Sequence, residues 1–448
     1  MTTSHTSTSE RSKGAHSLGR LATGATVFAE QIEPDGWGLA IHGPGQRSFR
    51  QPRPMQIEIF EDEDTISSHS LSYAEIQSAP GAFVGRAEIT IGDATFTVED
   101  SWTLGESALT LSRLLRVSGN APGGFLSSFR FTAGEPLTWL DVAPFVPGML
   151  YGPSEHLTGV AIGGKANYLA GVREIRIRED RMPAPLFGLH FGDGISIATL
   201  VTRPDARTTG ADAVDTAAET LIDEQIRVGA LGGVESDNRI STGYWFPGTE
   251  GEATYSGDTF PGGQMRTWRR RYHPIRDGLV QEYQVAFRLG RDERFQDFRT
   301  AAWRWAWSTL NPEILPQDID AARRWSTAVL AQTVVTTNGR SGIPNVLEVT
   351  TGEPPDPQRY RALMGFTGRS VESAYFLLRG ATRDAGETAN QYRELGLAIL
   401  ESFVELPMSP PEYEGFTLAD GQPVIGRDDL VHLRSVTEGG KYMLRSFL

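Results

Sequence analysis

The sequence predicts a multidomain α+β protein in which a large antiparallel β-sandwich leads into a helical domain. Up to about residue 290, apolar and polar residues alternate with the period of half-buried strands, and the 49 glycines and 26 prolines of the chain supply turns. After residue 295 the pattern changes to helix-length stretches rich in Trp, Arg, Ala and Leu. A chain of 448 residues is also long enough for two domains.

The composition predicts where the protein is located and which classes of partner are disfavoured. Residues 1–24 are polar, rich in Ser and Thr, and lack the apolar stretch of a signal peptide, so we expect a disordered tail. No run of about 18 apolar residues occurs, which predicts no membrane span and a cytoplasmic location. The formal net charge of −14 argues against nucleic acid or an anionic membrane surface as a partner. Because the sequence has no cysteine, disulfides and thiolate metal sites are excluded.

Strands are predicted throughout residues 25–290. The clearest stretch is 87–104, where Gly92 and Asp93 form a turn between two alternating runs. So many strands in one run favour an antiparallel sandwich over βαβ units. The other strands are expected at 108–117, 125–132, 173–178, 194–201, 264–272 and 281–289.

The helical part begins with a linker helix at 291–311, in which Trp303, Trp305 and Trp307 predict packing against a large surface. Further helices are expected at 318–334, 370–379, 384–403 and 428–447, with long polar loops at 336–359 and 405–426. Loops of this length in a compact domain are often functional.

Two segments of the sandwich carry candidate binding residues. Tyr244, Trp245 and Phe246 are consecutive, so alternation predicts at least one ring that is exposed or at an interface. An exposed ring could bind a sugar, with Glu250 in the adjoining turn. The alternative is an aromatic cluster at a domain interface beside solvated glutamates.

The second segment is a basic, aromatic strand that contains Arg271, Tyr272 and His273. The planar fork of arginine suits bidentate binding of the carboxylate of an acidic sugar. Pairing of the arginines with acidic residues of neighbouring strands is the alternative.

In the helical part, Glu412 and Glu414 lie in a loop with aromatic and glycine residues. Glycoside cleavage commonly uses two carboxyl groups, and these two are too close in sequence to form that pair by themselves. One of them with Glu250 or Glu438 is the more natural pair, and an ordinary acidic loop is the alternative. Arg369, before a helix, is a candidate for substrate binding, whereas Glu438 is expected to pair with Arg434 one turn away.

The strand series that contains residues 98–102 and 111–117, followed by the Trp-rich helix at 292–310, resembles a family of carbohydrate-active enzymes. In these glycoside hydrolases and polysaccharide lyases, an N-terminal β-supersandwich precedes an (α/α) toroid. The resemblance implies a supersandwich at 25–290, the linker helix at 291–311 and a partial toroid at 312–448. Because few residues follow the linker, either the toroid is partial, the chain is a fragment, or another chain completes it.

The predicted function is that of a carbohydrate-active enzyme, a glycoside hydrolase acting on an oligo- or polysaccharide. Glu250, Glu412 and Glu414 are the candidate catalytic carboxyls; Trp245, Arg271, Tyr272, His273 and Arg369 are the candidates for holding the sugar. A lyase acting on uronates and a non-catalytic glycan-binding or assembly subunit are the alternatives. No motif with metal-ligand spacing occurs, so neither a metal nor an organic cofactor is expected, while calcium held by loop oxygens stays open. An incomplete helical domain would expose apolar surface, which favours a homo-oligomer or a second chain as partner.

Overall fold

The computed structural model describes residues 14–33, 36–43, 47–152, 171, 173–205, 220–250, 270–346, 360–406, 413–424 and 432–447. The chain divides into two compact units, unit 1 at residues 1–312 and unit 2 at residues 313–448. Each unit has its own apolar core.

Unit 1 is built almost entirely of strands. In chain order they are β1 (Ala15–Arg20), β2 (Thr26–Glu33), β3 (Gly36–His42), β4 (Ser48–Gln51), β5 (Met55–Asp62), β6 (Thr65–Leu71), β7 (Glu75–Ala79), β8 (Ala82–Ile91), β9 (Ala94–Leu104), β10 (Ala108–Ser118), β11 (Gly124–Ala133), β12 (Val142–Val146), β13 (Leu150–Tyr151), β14 (Glu174–Arg178), β15 (Leu186–Phe191), β16 (Ile195–Val201), β17 (Thr220–Ile222), β18 (Ala230–Ser236), β19 (Arg239–Phe246), β20 (Arg270–Pro274) and β21 (Val280–Arg291).

These strands form two large sheets. The twelve-stranded sheet has the order β1-β2-β3-β4-β11-β19-β18-β14, with β5, β6, β17 and β20 joined beside β11. The nine-stranded sheet has the order β13-β12-β15-β16-β21-β10-β9-β8-β7. The pairs are antiparallel, with β17 and β20 as a parallel exception. The prediction of a large antiparallel β-sandwich is therefore confirmed.

The alternation in the sequence places every second side chain between the sheets. On β9 and β10 buried and half-buried residues alternate along most of each strand. Gly92, with φ of 57°, lies in the two-residue turn between β8 and β9 that the sequence predicts. The two sheets meet in an aromatic cluster, where Trp102 of β9 lies 4.9 Å from Phe129 of β11 between ring centroids.

A buried ion pair lies within this apolar core. Arg113 and Asp100 face inward and are fully buried, with Nε to Oδ1 at 2.7 Å and Nη2 to Oδ2 at 2.6 Å. The remaining guanidinium N–H groups donate to the carbonyls of Pro54 and Ser128, both at 2.8 Å, and to the Tyr283 hydroxyl at 3.1 Å. All five donors of Arg113 therefore have acceptors, which is what burial of an arginine requires.

The linker helix α1 (Phe295–Leu310) belongs to unit 1, where Phe298, Ala302 and Ala306 pack against the nine-stranded sheet. The predicted packing of this helix against a large surface is confirmed for Phe298 and Trp305, whereas Trp303 and Trp307 are 44% and 59% exposed. The reason is helical geometry: the buried positions recur every three to four residues, whereas the three tryptophans are spaced two residues apart.

Unit 2 contains the helices α2 (Ile319–Gln332), α3 (Ser370–Ala381), α4 (Gly386–Val404) and α5 (Leu433–Phe447). Each lies within a few residues of its prediction. Strands lie within or next to the segments expected as long loops, namely β22 (Val335–Thr337), β23 (Arg340–Gly342), β24 (Arg361–Leu363), β25 (Gly415–Thr417) and β26 (Pro423–Val424). The toroid implied by the resemblance stays a prediction.

Among the described residues, no helix has the length and apolarity that crossing a bilayer requires.

The prediction of a disordered tail at residues 1–24 is wrong for the part of that segment that the structure describes. Residues 1–13 lie outside the described residues, but Ala15–Arg20 forms β1, which pairs with β2. Leu18 and Leu21 are buried in the core of the sandwich. Burial of these two apolar side chains stabilises β1, although most residues of the segment are polar.

Candidate active site

A short 3-10 turn places the carboxyl group of Glu179 at one end of β14. The strand ends at Arg178, and the chain turns through Glu179–Arg181. The backbone N–H of Glu179 donates to the Gly229 carbonyl at 2.9 Å, and the Gly229 N–H donates back to Glu179 Oε1 at 2.7 Å. This reciprocal pair fixes the carboxyl group against the residue that precedes β18.

The Glu179 side chain borders a cavity of about 250 Å³. The cavity lies near the ends of β16 and β19 and beside β21, and three carboxyl groups, two guanidinium groups and two phenols line it together with smaller side chains. The lining residues are Ser112, Glu179, Val201, Arg203, Asp205, Arg227, Tyr244, Phe246, Glu282, Tyr283 and Gln284. Such a concentration of titratable groups in one cavity is typical of a catalytic site.

The environment of Glu179 favours its protonated form. The residue is only 4% exposed, and burial raises the pKa of its carboxyl group to about 7. The Gly229 N–H opposes this shift, whereas the negative charges of Asp180 and Asp205 add to it. Oε2 of Glu179 has no hydrogen-bond partner among the described residues. A buried carboxyl group with one unpartnered oxygen beside a cavity is available to a ligand.

The phenol of Tyr244 approaches the same carboxyl group. A glycine at position 229 permits this approach, since a Cβ there would lie 2.0 Å from the Tyr244 hydroxyl oxygen. Burial, followed by the negative charge of Glu179, raises the pKa of Tyr244 well above its usual value. Tyr244 therefore stays a neutral phenol, able to donate a hydrogen bond at neutral pH.

The predicted catalytic residue Glu250 does not line this cavity. Its carboxyl group is 2% exposed and is ion-paired with Arg271, and Arg181 lies 3.4 Å away. Arg271 is also buried, so the alternative in which the arginine pairs with an acidic residue describes this pair better than sugar binding does.

The expectation of an exposed ring among Tyr244, Trp245 and Phe246 is wrong, since none is more than 4% exposed. Tyr244 and Phe246 face the sandwich core, whereas Trp245 faces outward from the twelve-stranded sheet. Trp245 is covered there by Arg130 and Arg176, whose guanidinium carbons lie 5.8 and 5.5 Å from its ring centroid. The side chains of β19 therefore still alternate between the two faces of the sheet. Trp245 is buried because other side chains cover it on the outer face.

Tyr272 and His273 lie on opposite faces of β20. The Tyr272 hydroxyl donates to Glu58 at 2.8 Å on the outer face. His273 is buried, with Nε2 2.8 Å from the Ile226 carbonyl oxygen and Nδ1 3.1 Å from the side-chain nitrogen of Gln281. These partners satisfy both nitrogens of a neutral imidazole.

His273 predicts a measurable pH dependence of stability. Burial lowers its pKa to about 4, so between pH 4 and about 6.5 the unfolded chain binds more protons than the folded protein. The stability that depends on the neutral ring is complete above about pH 6.5 and is lost as the pH falls towards 4. We expect acidification across this window to remove up to about 3 kcal/mol from wild type relative to His273→Gln.

Urea unfolding of both proteins at several pH values measures this difference. The comparison with the variant is needed because Glu179, whose pKa is raised, contributes a pH dependence of opposite sign. Parallel curves for the two proteins would contradict the assignment of a depressed pKa to His273.

In unit 2, Glu412 lies outside the described residues. Glu414 is buried, and its Oε1 accepts a hydrogen bond from the backbone N–H of His432. Arg369 lies at the start of α3 with φ of 43°, and its guanidinium donates to Glu372 at 3.0 Å. The predicted pair of Arg434 and Glu438 is confirmed at 2.7 Å.

Sequence reasoning missed Glu179, Asp205 and Glu282. The only signal for Glu179 was its position directly after a predicted strand, where a solvated turn is the commoner explanation for the sequence Glu-Asp-Arg. Asp205 and Glu282 reach the cavity from distant parts of the chain, and no sequence spacing links them.

Neither a protein-family model nor a curated protein matches this chain. Among solved structures, a protein from Synechocystis sp. PCC 6803 is 11% identical, with 62% of this chain and 96% of that chain covered and a TM-score of 0.30. The galactosidase domain of an alpha-galactosidase-sucrose kinase is 10% identical, with 62% and 41% covered and a TM-score of 0.34. A galactose mutarotase related enzyme from Lactobacillus acidophilus is 8% identical, with 62% and 97% covered and a TM-score of 0.25.

The last two of these proteins are named for sugar chemistry. The match spans less than half of the galactosidase chain, at 41%. At TM-scores of 0.34 and below, these similarities do not identify a functional site in this chain.

Proposed function

We propose that this protein is a carbohydrate-active enzyme that hydrolyses a glycosidic bond, with Glu179 as its proton donor. The observation that carries the proposal is the unpartnered Oε2 of a buried carboxyl group with a raised pKa, at a cavity that also holds Asp205 and Glu282. The long sandwich followed by helices, which resembles the layout of carbohydrate-active enzymes, supports a sugar as the substrate.

The chemistry needs one carboxylic acid and one carboxylate. Glu179 donates its proton to the glycosidic oxygen as the bond between that oxygen and the anomeric carbon breaks. Asp205, which is exposed and lies close enough to raise the pKa of Glu179, accepts a proton from the water that attacks the anomeric carbon. One water molecule is consumed, its hydroxyl going to the anomeric carbon, and solvent exchange returns both carboxyl groups to their starting protonation states.

The geometry favours hydrolysis over the lyase alternative. A lyase acting on uronates would use a tyrosine or histidine as the base that removes the proton beside the uronate carboxylate. Tyr244 is the phenol beside Glu179, and its raised pKa opposes formation of the phenolate. Arg271, expected to neutralise the uronate, is paired with Glu250.

The proposal is tested by incubating the full chain with a panel of neutral and acidic glycans and measuring the release of reducing ends. We expect release from one class of glycan, without the ultraviolet absorbance of an unsaturated lyase product. Glu250→Gln and Glu414→Gln variants in the same assay test the carboxyls predicted from the sequence. Absence of release from every glycan would contradict the proposal and favour the non-catalytic alternative.

A further inference from the structure

The outer face of the twelve-stranded sheet carries a second polar cavity, of about 230 Å³. We name it the arginine groove and define it by the residues of its lining used below, which are Gln56, Glu58, Ser128, Arg130, Glu174, Arg176 and Trp245. None of these residues lines the cavity at Glu179. The two sites are therefore separate.

Strand pairing explains the shape of the arginine groove. Arg130 of β11 lies opposite Gly243 of β19, Gly243 lies opposite Gly232 of β18, and Gly232 lies opposite Arg176 of β14. Two glycine positions thus separate the two arginines across the sheet. A Cβ at Gly243 would lie 2.7 Å from Cγ of Arg130, so the glycine provides the space that this side chain occupies.

The two guanidinium groups differ in their partners. Arg176 donates to Glu174 at 3.0 Å, whereas Arg130 forms no ion pair with a carboxylate among the described residues. The Nε of Arg130 donates to the side-chain oxygen of Gln56 at 3.2 Å. Burial, and then repulsion by Arg176, lower the pKa of Arg130. A half-buried cation beside a second cation is the group that an anionic ligand would stabilise.

The neighbouring carboxylates restrict which anion fits. Glu58 and Glu174 both interact electrostatically with Arg130, so their negative charges would repel a doubly charged phosphate or sulfate more strongly than a single carboxylate. The same carboxylates can accept hydrogen bonds from hydroxyl groups, and Ser128 and Gln56 add further polar atoms. A ligand with a single carboxylate and several hydroxyl groups matches this arrangement best.

We propose that the arginine groove binds a uronic acid, with the sugar carboxylate held by the guanidinium of Arg130. The ring hydroxyl groups would bond Glu58, Glu174 and Gln56. This site is additional to the proposed hydrolytic site and would let the protein hold an acidic glycan apart from the bond that it cleaves.

Isothermal titration of the full chain with glucuronate, glucose and inorganic phosphate tests the proposal. We expect glucuronate to bind at least about 10-fold more tightly than the other two, because a charge-assisted bidentate contact discriminates by about that factor or more. Equal affinities for glucuronate and glucose, or tighter binding of phosphate, would overturn the proposal.

Three variants make the test specific to this site. Arg130→Gln should remove the preference for glucuronate, and Arg130→Lys should retain only part of it because the planar fork is lost. Arg116→Gln, on an exposed position of β10, serves as the matched control and should bind like wild type. Circular dichroism confirms that each variant is folded, and an unchanged preference in folded Arg130→Gln would overturn the proposal.

The result of the glucuronate titration does not depend on whether Glu179 is the proton donor of a hydrolase. Glu179→Gln should bind glucuronate like wild type, since Glu179 does not line the arginine groove. Binding that is lost with Glu179→Gln but kept with Arg130→Gln would place the uronate in the other cavity and overturn the assignment made here.

Discussion

Glu179→Gln is expected to lower kcat by at least about 100-fold while leaving the protein folded, since a general acid contributes roughly that factor or more. Glutamine keeps the size of the side chain and can still accept the hydrogen bond from the Gly229 N–H, but it cannot deliver a proton. The measurement is the initial rate of reducing-end release on whichever glycan the panel identifies. Turnover within a few-fold of wild type would remove Glu179 from the mechanism.

The pH dependence of kcat for the same reaction is a second test of Glu179 as the general acid, because it predicts the direction in which kcat changes. Because Glu179 must be protonated and its pKa is about 7, kcat should fall as the pH rises above 7. Asp180→Asn is the matched control, since Asp180 adjoins Glu179 in sequence but does not line the cavity. This variant should keep its turnover and shift the high-pH limb to lower pH, because a negative charge that raises the pKa of Glu179 is gone. A limb at the same pH in both proteins would contradict the assignment of that limb to Glu179.

Asp100→Asn is expected to destabilise unit 1 by roughly 3–5 kcal/mol, the cost of leaving a buried charge without its partner. The substitution keeps the shape of the side chain but leaves the guanidinium of Arg113 uncompensated in a fully buried position. Urea unfolding, followed by the near-ultraviolet circular dichroism of the aromatic core, gives the change in the free energy of unfolding.

The neighbouring residue on the same strand supplies the control. Glu99 is paired with Arg86 at 2.8 Å, and both side chains are 40% exposed. Glu99→Gln should therefore cost less than about 1 kcal/mol. If Asp100→Asn costs no more than Glu99→Gln, the buried pair does not stabilise the sandwich in the way described.

The strands and helices that the local spacing of apolar residues determines could be predicted from the sequence. Alternation is a property of neighbouring residues, so the turn at Gly92 and the strands on either side of it follow from the sequence. The four helices of unit 2 were likewise located within a few residues, because apolar spacing marks them.

What could not be predicted depends on contacts between distant segments. Arg113 alternates in step with buried leucines, but a charged residue in the core becomes plausible only when Asp100 and the two carbonyl acceptors are seen around it. Trp245 was a candidate for holding a sugar because nothing in the sequence shows that two arginines from other strands cover it. The candidate site was missed for the same reason, since Glu179 and Asp205 belong to separate strand ends and the pKa of Glu179 depends on burial.

The position of β21 has a consequence for synthesis of the protein on the ribosome. β21 is the last strand of unit 1, yet it lies in the middle of the nine-stranded sheet, between β10 and β16. It also supplies the Tyr283 hydroxyl that completes the acceptor set of Arg113. Until residue 291 has left the exit tunnel, β10 and β16 both present open edges and the sandwich cannot close. β10 and β16 must therefore wait for one late strand, and until it arrives their two open edges are able to pair with other chains.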